Sequence, residues 1–474
     1  MPDRIANMPK GMMMTEQYTR RVSSVESYFT WSPNMVVTVA ARLRGAVDVE
    51  TVQEAWDRVC LRHTNLRVRI QYDAQHDAWF TTEDATQAPV QVRPRASESD
   101  WVDVMNEIRC IPFDFEAGSA VRLVLLQSAA CSDLVLVCHH VLCDGLSLAY
   151  VLRDLLMHMG DPTLEVSPLE APTPIQASTL PKDTIPNGLL RAVIKRMTRK
   201  WRETRVDFDS TDYKEMTAAY WKRYTPSMQV VELEADQTTE LVRNCKAAGV
   251  TVNTALSAAI ALAQQEVLGL KRIQKLGIAG SLRDRLSKPV EEEMGFYAGM
   301  AIFNPRLNAS CDFWESARRL QGIAKKQLTN RGLMKNTAIW CYLKPSMMEG
   351  FTFKRMASIV GRDASRFEKL SAFVARSDVL QRVLKRDKME TIDCPTMDTG
   401  ITNLTRLDFP VSYGKYELER MIFHPSSGPD VPLVAGIVTC AGRLSLVLEN
   451  ANGSMSKQQI DAIGDRALEL LRGD

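Results

Sequence analysis

From Asp133 to Met159 the chain passes from a strand-like to a helix-like pattern, and the change falls on His139-His140-Val141-Leu142-Cys143-Asp144-Gly145. The run Asp133-Leu134-Val135-Leu136-Val137 is short, apolar and β-branched. Leu148, Val151, Leu152, Leu155 and Met159 then recur at helical spacing. A strand running straight into an amphipathic helix belongs to a packed α/β body. It places two adjacent histidines at the corner, where loops held by a rigid frame often carry chemistry.

At 474 residues the chain exceeds what one core usually organises, so two units are expected. Lys and Arg number 59 against 57 Asp and Glu, a balance that gives no strong overall field to draw nucleic acid or a charged membrane. The 10 cysteines are scattered, without zinc-ligand spacing or a disulfide framework, and read as reduced, mostly buried thiols. The first thirty residues lack a continuous apolar signal region, and no segment offers the roughly 20 apolar residues of a membrane span. The cytoplasm is the expected location, and a monomer the expected state.

Periodicity predicts strands at Met35–Leu43, Val121–Leu126 and Leu134–Cys138, a helix at Val49–His63, and a hairpin from Leu66 to Phe80. Pro162, Pro168, Pro172, Pro174, Pro181 and Pro186 crowd a stretch that reads as a crossover. Leu189 to Arg205 follows as a basic amphipathic helix, with Leu190, Ile194, Met197 and Trp201 on one face. It is expected to pack that stripe on the body, with membrane or acidic-partner docking as the lesser reading. In the second half, strands are predicted at Met228–Leu233, Leu276–Leu282, Phe296–Phe303, Val431–Cys440 and Leu444–Glu449. Helices are predicted at Gln237–Ala248, Val252–Leu268 and Lys457–Leu471, and 317–388 is helical in tendency. The expected division is an N-terminal subdomain at 1–160, a linker with the basic helix at 161–225, and a C-terminal subdomain at 226–474.

Strand alternation places His140 on the face of Leu134, Leu136 and Cys138, and His139 on that of Val135 and Val137. The rings then point apart, one reactive and one structural. No metal is expected, because His63, His76, His158 and His424 stand in no paired ligand motif. A nucleophilic Cys138 or Cys143 is a minor reading, since Cys138 reads as core. General base catalysis suits the pattern best, because a histidine with a pKa near ~6.5 accepts a proton from a hydroxyl or amine at neutral pH.

The run His139-His140-Val141-Leu142-Cys143-Asp144-Gly145 resembles the HHxxxDG signature of the condensation-domain and acyl-CoA-dependent acyltransferase superfamily. Arg44-Gly45 and Arg62-His63-Thr64-Asn65-Leu66-Arg67 resemble the opening of the same family. The resemblance implies two chloramphenicol acetyltransferase-like α/β sandwich subdomains arranged as a V, with a tunnel between them. It implies His140 as the base that deprotonates the acceptor, with direct attack on a thioester. Asp144 is expected to pair with an arginine, for which Arg283 in Gly280-Ser281-Leu282-Arg283 is the candidate. Gly145 is expected to permit a tight turn, and His139 to be structural.

Thr402 and Asn403, in Gly400-Ile401-Thr402-Asn403-Leu404, resemble the family's Ser/Thr-Asn element and are candidates to hold the oxyanion. Gly295-Phe296-Tyr297 is expected to shape the tunnel. The plant branch's Asp-Phe-Gly-Trp-Gly is replaced by Asp408-Phe409-Pro410-Val411-Ser412, which favours the alcohol acetyltransferase or condensation-like branches over the plant one. The implied activity moves an acyl group, acetyl foremost, from acyl-CoA to the hydroxyl, or less readily the amine, of a small hydrophobic acceptor in secondary metabolism. Acyl-CoA is a co-substrate and no cofactor is held permanently. The alternatives are a condensation-type enzyme fed by an acyl carrier protein, toward which the absence of a fused carrier segment does not point, and a non-catalytic protein that keeps the fold. A dihydrolipoyl acyltransferase core fits less well.

Overall fold

The apolar run around Val135 forms the strand Cys131–His139, every residue of which is buried. It lies near the middle of a six-stranded sheet, between Val36–Arg44 and Val121–Gln127, both antiparallel to it. A strand buried on both faces cannot alternate with polar residues, which explains its continuous apolar composition. The computed structural model describes residues 17–203, 208–360, 395–428, 430–451 and 453–473.

The sheet continues from Val121–Gln127 to a parallel edge strand, Val90–Pro94. A second six-stranded sheet runs in the order Ala298–Phe303, Leu276–Ser281, Thr399–Leu407, Leu433–Cys440, Arg443–Asn450, Ser227–Leu233. Its last hairpin turns on Ala441 and Gly442, both at positive φ (51° and 76°), the two-residue geometry that matches strand twist. Arg69–Tyr72 and Ala78–Thr81 pair as the expected hairpin, joined by Thr19–Arg21 in a small third sheet. The helices Val49–Arg62 and Gly145–Gly160 lie side by side on the first sheet. The helix Val252–Val267 is buried along most of its length between Lys457–Arg472 and Phe313–Gln327, as its nearly uniform apolar character requires. Two α/β subdomains result, each built on one of the six-stranded sheets.

The subdomains do not divide along the chain as expected. Tyr416–His424, which the 226–474 assignment places in the C-terminal subdomain, leaves it and pairs antiparallel with Val36–Arg44 in the N-terminal sheet, His424 opposite Thr38. Ser412–Tyr413 continues that edge. Pairing of this kind joins residues nearly four hundred positions apart and has no local signal. A Cβ on Gly160 would lie 2.5 Å from the Tyr413 carbonyl carbon, so the helix Gly145–Gly160 ends against this returning segment. Of the tract expected to be helical, Phe313–Gln327, Asn330–Leu333, Lys335–Trp340 and Pro345–Val360 are so; 361–388 lies outside the described residues, as does Arg205. Sequence periodicity also passed over the helices Asp100–Arg109 and Ser210–Arg223.

Candidate active site

The strand ends at His139, and residues 140–143 turn the chain into the helix Gly145–Gly160. His140 therefore does not continue the strand's alternation as read from sequence; its N–H donates to the Met35 carbonyl and its side chain leaves from the turn. The two rings still occupy opposite environments. His139 is fully buried, its Nε2 3.1 Å from the Ser32 carbonyl and its Nδ1 accepting from the Val141 N–H. Phe113 and Phe115 meet it edge-on. Burial pushes its pKa down to about 3, so it stays neutral and fully bonded.

His140 lines a cavity of about 310 Å³ bounded by Phe29, Phe296 and residues of both sheets, among them Phe423 of the first and Met300 and Val434 of the second. Its Nδ1 lies 2.8 Å from the Cys143 carbonyl. A carbonyl can only accept, so Nδ1 carries the proton and Nε2 is left with its lone pair. Nε2 has no protein partner among the described residues. Burial lowers the His140 pKa, while the Cys143 carbonyl and the Asp144 charge pull the other way. The rings of Phe29 and Phe296, each with its centroid 5.4 Å away, fix the imidazole plane.

Asp144 is the N-cap of the helix: Oδ1 accepts from the Ser147 N–H at 2.7 Å. Oδ2 accepts from the Tyr297 N–H at 3.0 Å, and the Asp144 N–H donates to the Gly295 carbonyl at 2.9 Å. The Arg283 guanidinium reaches Asp144 at 3.5 Å, so the expected pair is present but loose. The closer partners of Arg283 are the Ser147 hydroxyl at 2.6 Å and the Glu291 carbonyl at 2.7 Å. Ser147 in turn donates to the Gly295 carbonyl. The carboxylate and the guanidinium are each about 5% exposed; Asp144 forms part of the cavity wall beside His140, and Arg283 does not line it.

Ser147 was not singled out from sequence, nor was the task of Asn65. Asn65 Nδ2 donates to the carbonyls of Leu142 and Met294 at 3.0 and 2.9 Å, clamping the histidine turn to the 291–297 loop. Its neighbours complete a partly buried ion cluster in which Arg62 and His63 meet Asp154, and Arg153 meets both Asp154 and Glu292. His63 and Arg153 hold the Asp154 carboxyl well below the usual range against the opposing effect of burial. Asn65 sits inside the Arg62–Arg67 motif, which is the only sequence signal that pointed to it.

Two expectations are corrected. Gly145 is not at positive φ; a Cβ there would lie 2.5 Å from the Phe423 ring, so the residue is small because the returning strand presses on it. Asn403 does not face the cavity: its Nδ2 donates to Asn253 Oδ1 and its Oδ1 accepts from the Thr405 N–H. Thr402, its neighbour on Thr399–Leu407, does line the cavity, as does Gly400, because alternate residues share a face. Phe296 lies in the wall beside His140, and Tyr297 is buried with its hydroxyl on the Thr173 carbonyl. Cys138 and Cys143 are fully buried, and burial holds the Cys143 thiol well above its ordinary pKa, which disfavours a thiolate nucleophile.

Residues 15–162 match the model of the condensation domain, and residues 222–338 match that of the phthiocerol/phthiodiolone dimycocerosyl transferase C-terminus. A polyketide synthase-nonribosomal peptide synthetase of Aspergillus clavatus is 31% identical over 126 residues, 26% of this chain and 3% of that protein. A probable non-canonical nonribosomal peptide synthetase, CymA, of Salinispora arenicola is 25% identical over 308 residues, 61% of this chain and 4% of its own length. The chain thus spans a few per cent of these curated relatives. Among solved structures, the TRI3 trichothecene 15-O-acetyltransferase of Fusarium sporotrichioides aligns with a TM-score of 0.61 at 13% identity, covering 96% of this chain and 95% of that one. The condensation domain of the monacolin K polyketide synthase MokA aligns with a TM-score of 0.58 at 12% identity, covering 96% of both chains. The resemblance read from the histidine run is borne out by these matches.

Proposed function

We propose that this chain, which carries the condensation-domain signature over residues 15–162 and the two-subdomain acyltransferase fold throughout, moves an acyl group from a thioester to the hydroxyl of a small hydrophobic acceptor. The observation that carries the proposal is the bond from His140 Nδ1–H to the Cys143 carbonyl, which leaves Nε2 without a protein partner among the described residues, at the wall of an apolar cavity shared by both subdomains.

His140 Nε2 takes the proton from the acceptor hydroxyl as its oxygen attacks the thioester carbonyl. The carbonyl π-bond becomes a tetrahedral oxyanion, toward which the Thr402 hydroxyl is the side-chain donor available on the cavity wall. Collapse of that oxyanion restores the carbonyl and breaks the C–S bond, and the imidazolium returns the proton to the departing thiolate. No acyl-enzyme forms, so holding both reactants in one cavity supplies the rate advantage. His139, Asp144, Ser147, Arg283 and Asn65 position the turn without touching the reacting atoms.

Acyl-CoA is the proposed donor and acetyl the proposed group. A cavity of about 310 Å³ lies at the small end of ligand sites and suits a short acyl group with a small acceptor better than a peptidyl chain. The structural likeness to a trichothecene O-acetyltransferase supports this reading. A second reading, in which the thioester arrives on a carrier protein, is favoured by the sequence relatives, which are peptide synthetases.

The test offers purified protein acetyl-CoA or an acetylated carrier protein with a panel of hydrophobic alcohols and amines, and follows free thiol and product mass. Ester formation with release of CoA is expected. Product formed only from the carrier replaces the first reading by the second, and no product from either donor overturns both.

A further inference from the structure

The basic helix Gly188–Glu203 packs less of itself than its sequence suggested. Ile194 and Trp201 are buried, and the Trp201 indole N–H donates to the Ser346 hydroxyl at 3.1 Å, so the C-terminal half is anchored. The N-terminal half projects: residues 188–193 are all exposed, and Leu189, Leu190 and Val193 show 79%, 36% and 48% of their surface to solvent. Ile185, just before the helix, is 40% exposed. The projecting turns are nonetheless formed, with Asn187 Oδ1 accepting from the Leu190 N–H at 2.9 Å. An apolar cluster of this size on one helix end is not the scatter of single exposed residues normal on a surface.

Charge is concentrated on the same element. In a chain that is nearly neutral overall, this helix carries Arg191, Lys195, Arg196, Arg199, Lys200 and Arg202 against the single acid Glu203. Among the described residues, Arg191, Lys195, Arg196 and Arg199 form no ion pair. Leu189 and Val193 lie on one flank, with Arg196 one turn further on, while Arg191, Lys195 and Arg199 form an i, i+4 row on the opposite flank.

We infer that the helix Gly188–Glu203 docks the protein on an anionic lipid surface, with Leu189 and Val193 entering the interface and the cations meeting the headgroups. Apolar residues interleaved with cations on a convex, projecting helix offer no groove for a protein's side chains. A bilayer interface accepts both kinds of group at once. The inference does not depend on the proposed reaction.

The full-length chain is sedimented with phosphatidylcholine vesicles, with and without about 30 mol % phosphatidylserine, over a range of salt. Binding is expected to the anionic vesicles only and to weaken as salt rises. Neutralising Arg191, Lys195 and Arg196 together to glutamine weakens it about a hundredfold, roughly fivefold per cation. Leu189→Glu with Val193→Glu abolishes it, while the thermal midpoint stays that of the wild type because both side chains are exposed. Equal binding to neutral vesicles, or undiminished binding by the Glu variant, overturns the inference. So does a wild type that ignores vesicles but binds a purified acidic carrier protein, which would assign the helix to a protein partner.

Discussion

Replacing Asp144 by asparagine keeps the size of the side chain and removes its charge. In the native site its two oxygens accept the Ser147 and Tyr297 N–H groups and face Arg283 at 3.5 Å. An amide offers one acceptor oxygen, so one of the two backbone donors must meet an NH₂ group. Losing that bond costs about 1–3 kcal/mol, since the donor stays buried. The charge pair is worth about 5 kcal/mol gross at an effective dielectric of 20, most of it offset by the desolvation both groups have already incurred. With Ser147 and the Glu291 carbonyl still bonded to Arg283, a net destabilisation of about 3 kcal/mol is expected. Urea unfolding followed by tryptophan fluorescence measures it, alongside thiol release in the same preparation. The anchor role predicts a clear fall in stability and a partial loss of rate from a loosened turn. Stability within about 0.5 kcal/mol of wild type together with complete loss of thiol release would refute the reasoning and place Asp144 in the chemistry.

Thr402→Val is expected to lower kcat by about a hundredfold or more with little change in KM, as for loss of an oxyanion donor, whereas Asn403→Ala leaves the rate near wild type; steady-state kinetics separate the two. Gly145→Ala drives a methyl group into the Phe423 ring and is expected to cost about 1–3 kcal/mol in thermal unfolding, partly relieved by adding Phe423→Leu. His139 has a folded pKa of about 3, below its unfolded value near 6.5, so its contribution to stability is present above pH 6.5 and is lost as pH falls from 6.5 toward 3, at about 1.4 kcal/mol per unit. Unfolding curves across that window should lose this part of their slope in His139→Gln. His140 is also lowered, so the acid limb of kcat/KM should have its midpoint below the ordinary histidine value.

Local pattern made most of the elements legible. The strand at Cys131–His139, the helices Val49–Arg62 and Val252–Val267 and the closing helix Lys457–Arg472 lie within a few residues of where periodicity puts them, because each buries a continuous face. The separation of His139 from His140 was also legible, although its cause is a turn and not strand parity. Tyr416–His424 was not, because its partner strand lies at the other end of the chain and its own residues say nothing about which sheet they join. Ser147 and Asn65 are small polar residues whose importance lies in the carbonyls and the guanidinium they reach, and those come from the histidine turn at Leu142, from the loop at 291–297 and from Arg283. Thr402 and Asn403 are a different case: adjacent strand residues cannot both face one cavity, so alternation alone separates them once the strand is recognised.

The proposed reaction rests on His140 Nε2 as the proton acceptor. The direct measurement is the rate of thiol release from acetyl-CoA by His140→Ala, in the presence of an acceptor alcohol the wild type uses and with unfolding checked in parallel. His140→Ala is expected to fold and to release thiol about 10² to 10⁴ times more slowly than the wild type. A folded His140→Ala protein that acylates the same alcohol at the wild-type rate would contradict it.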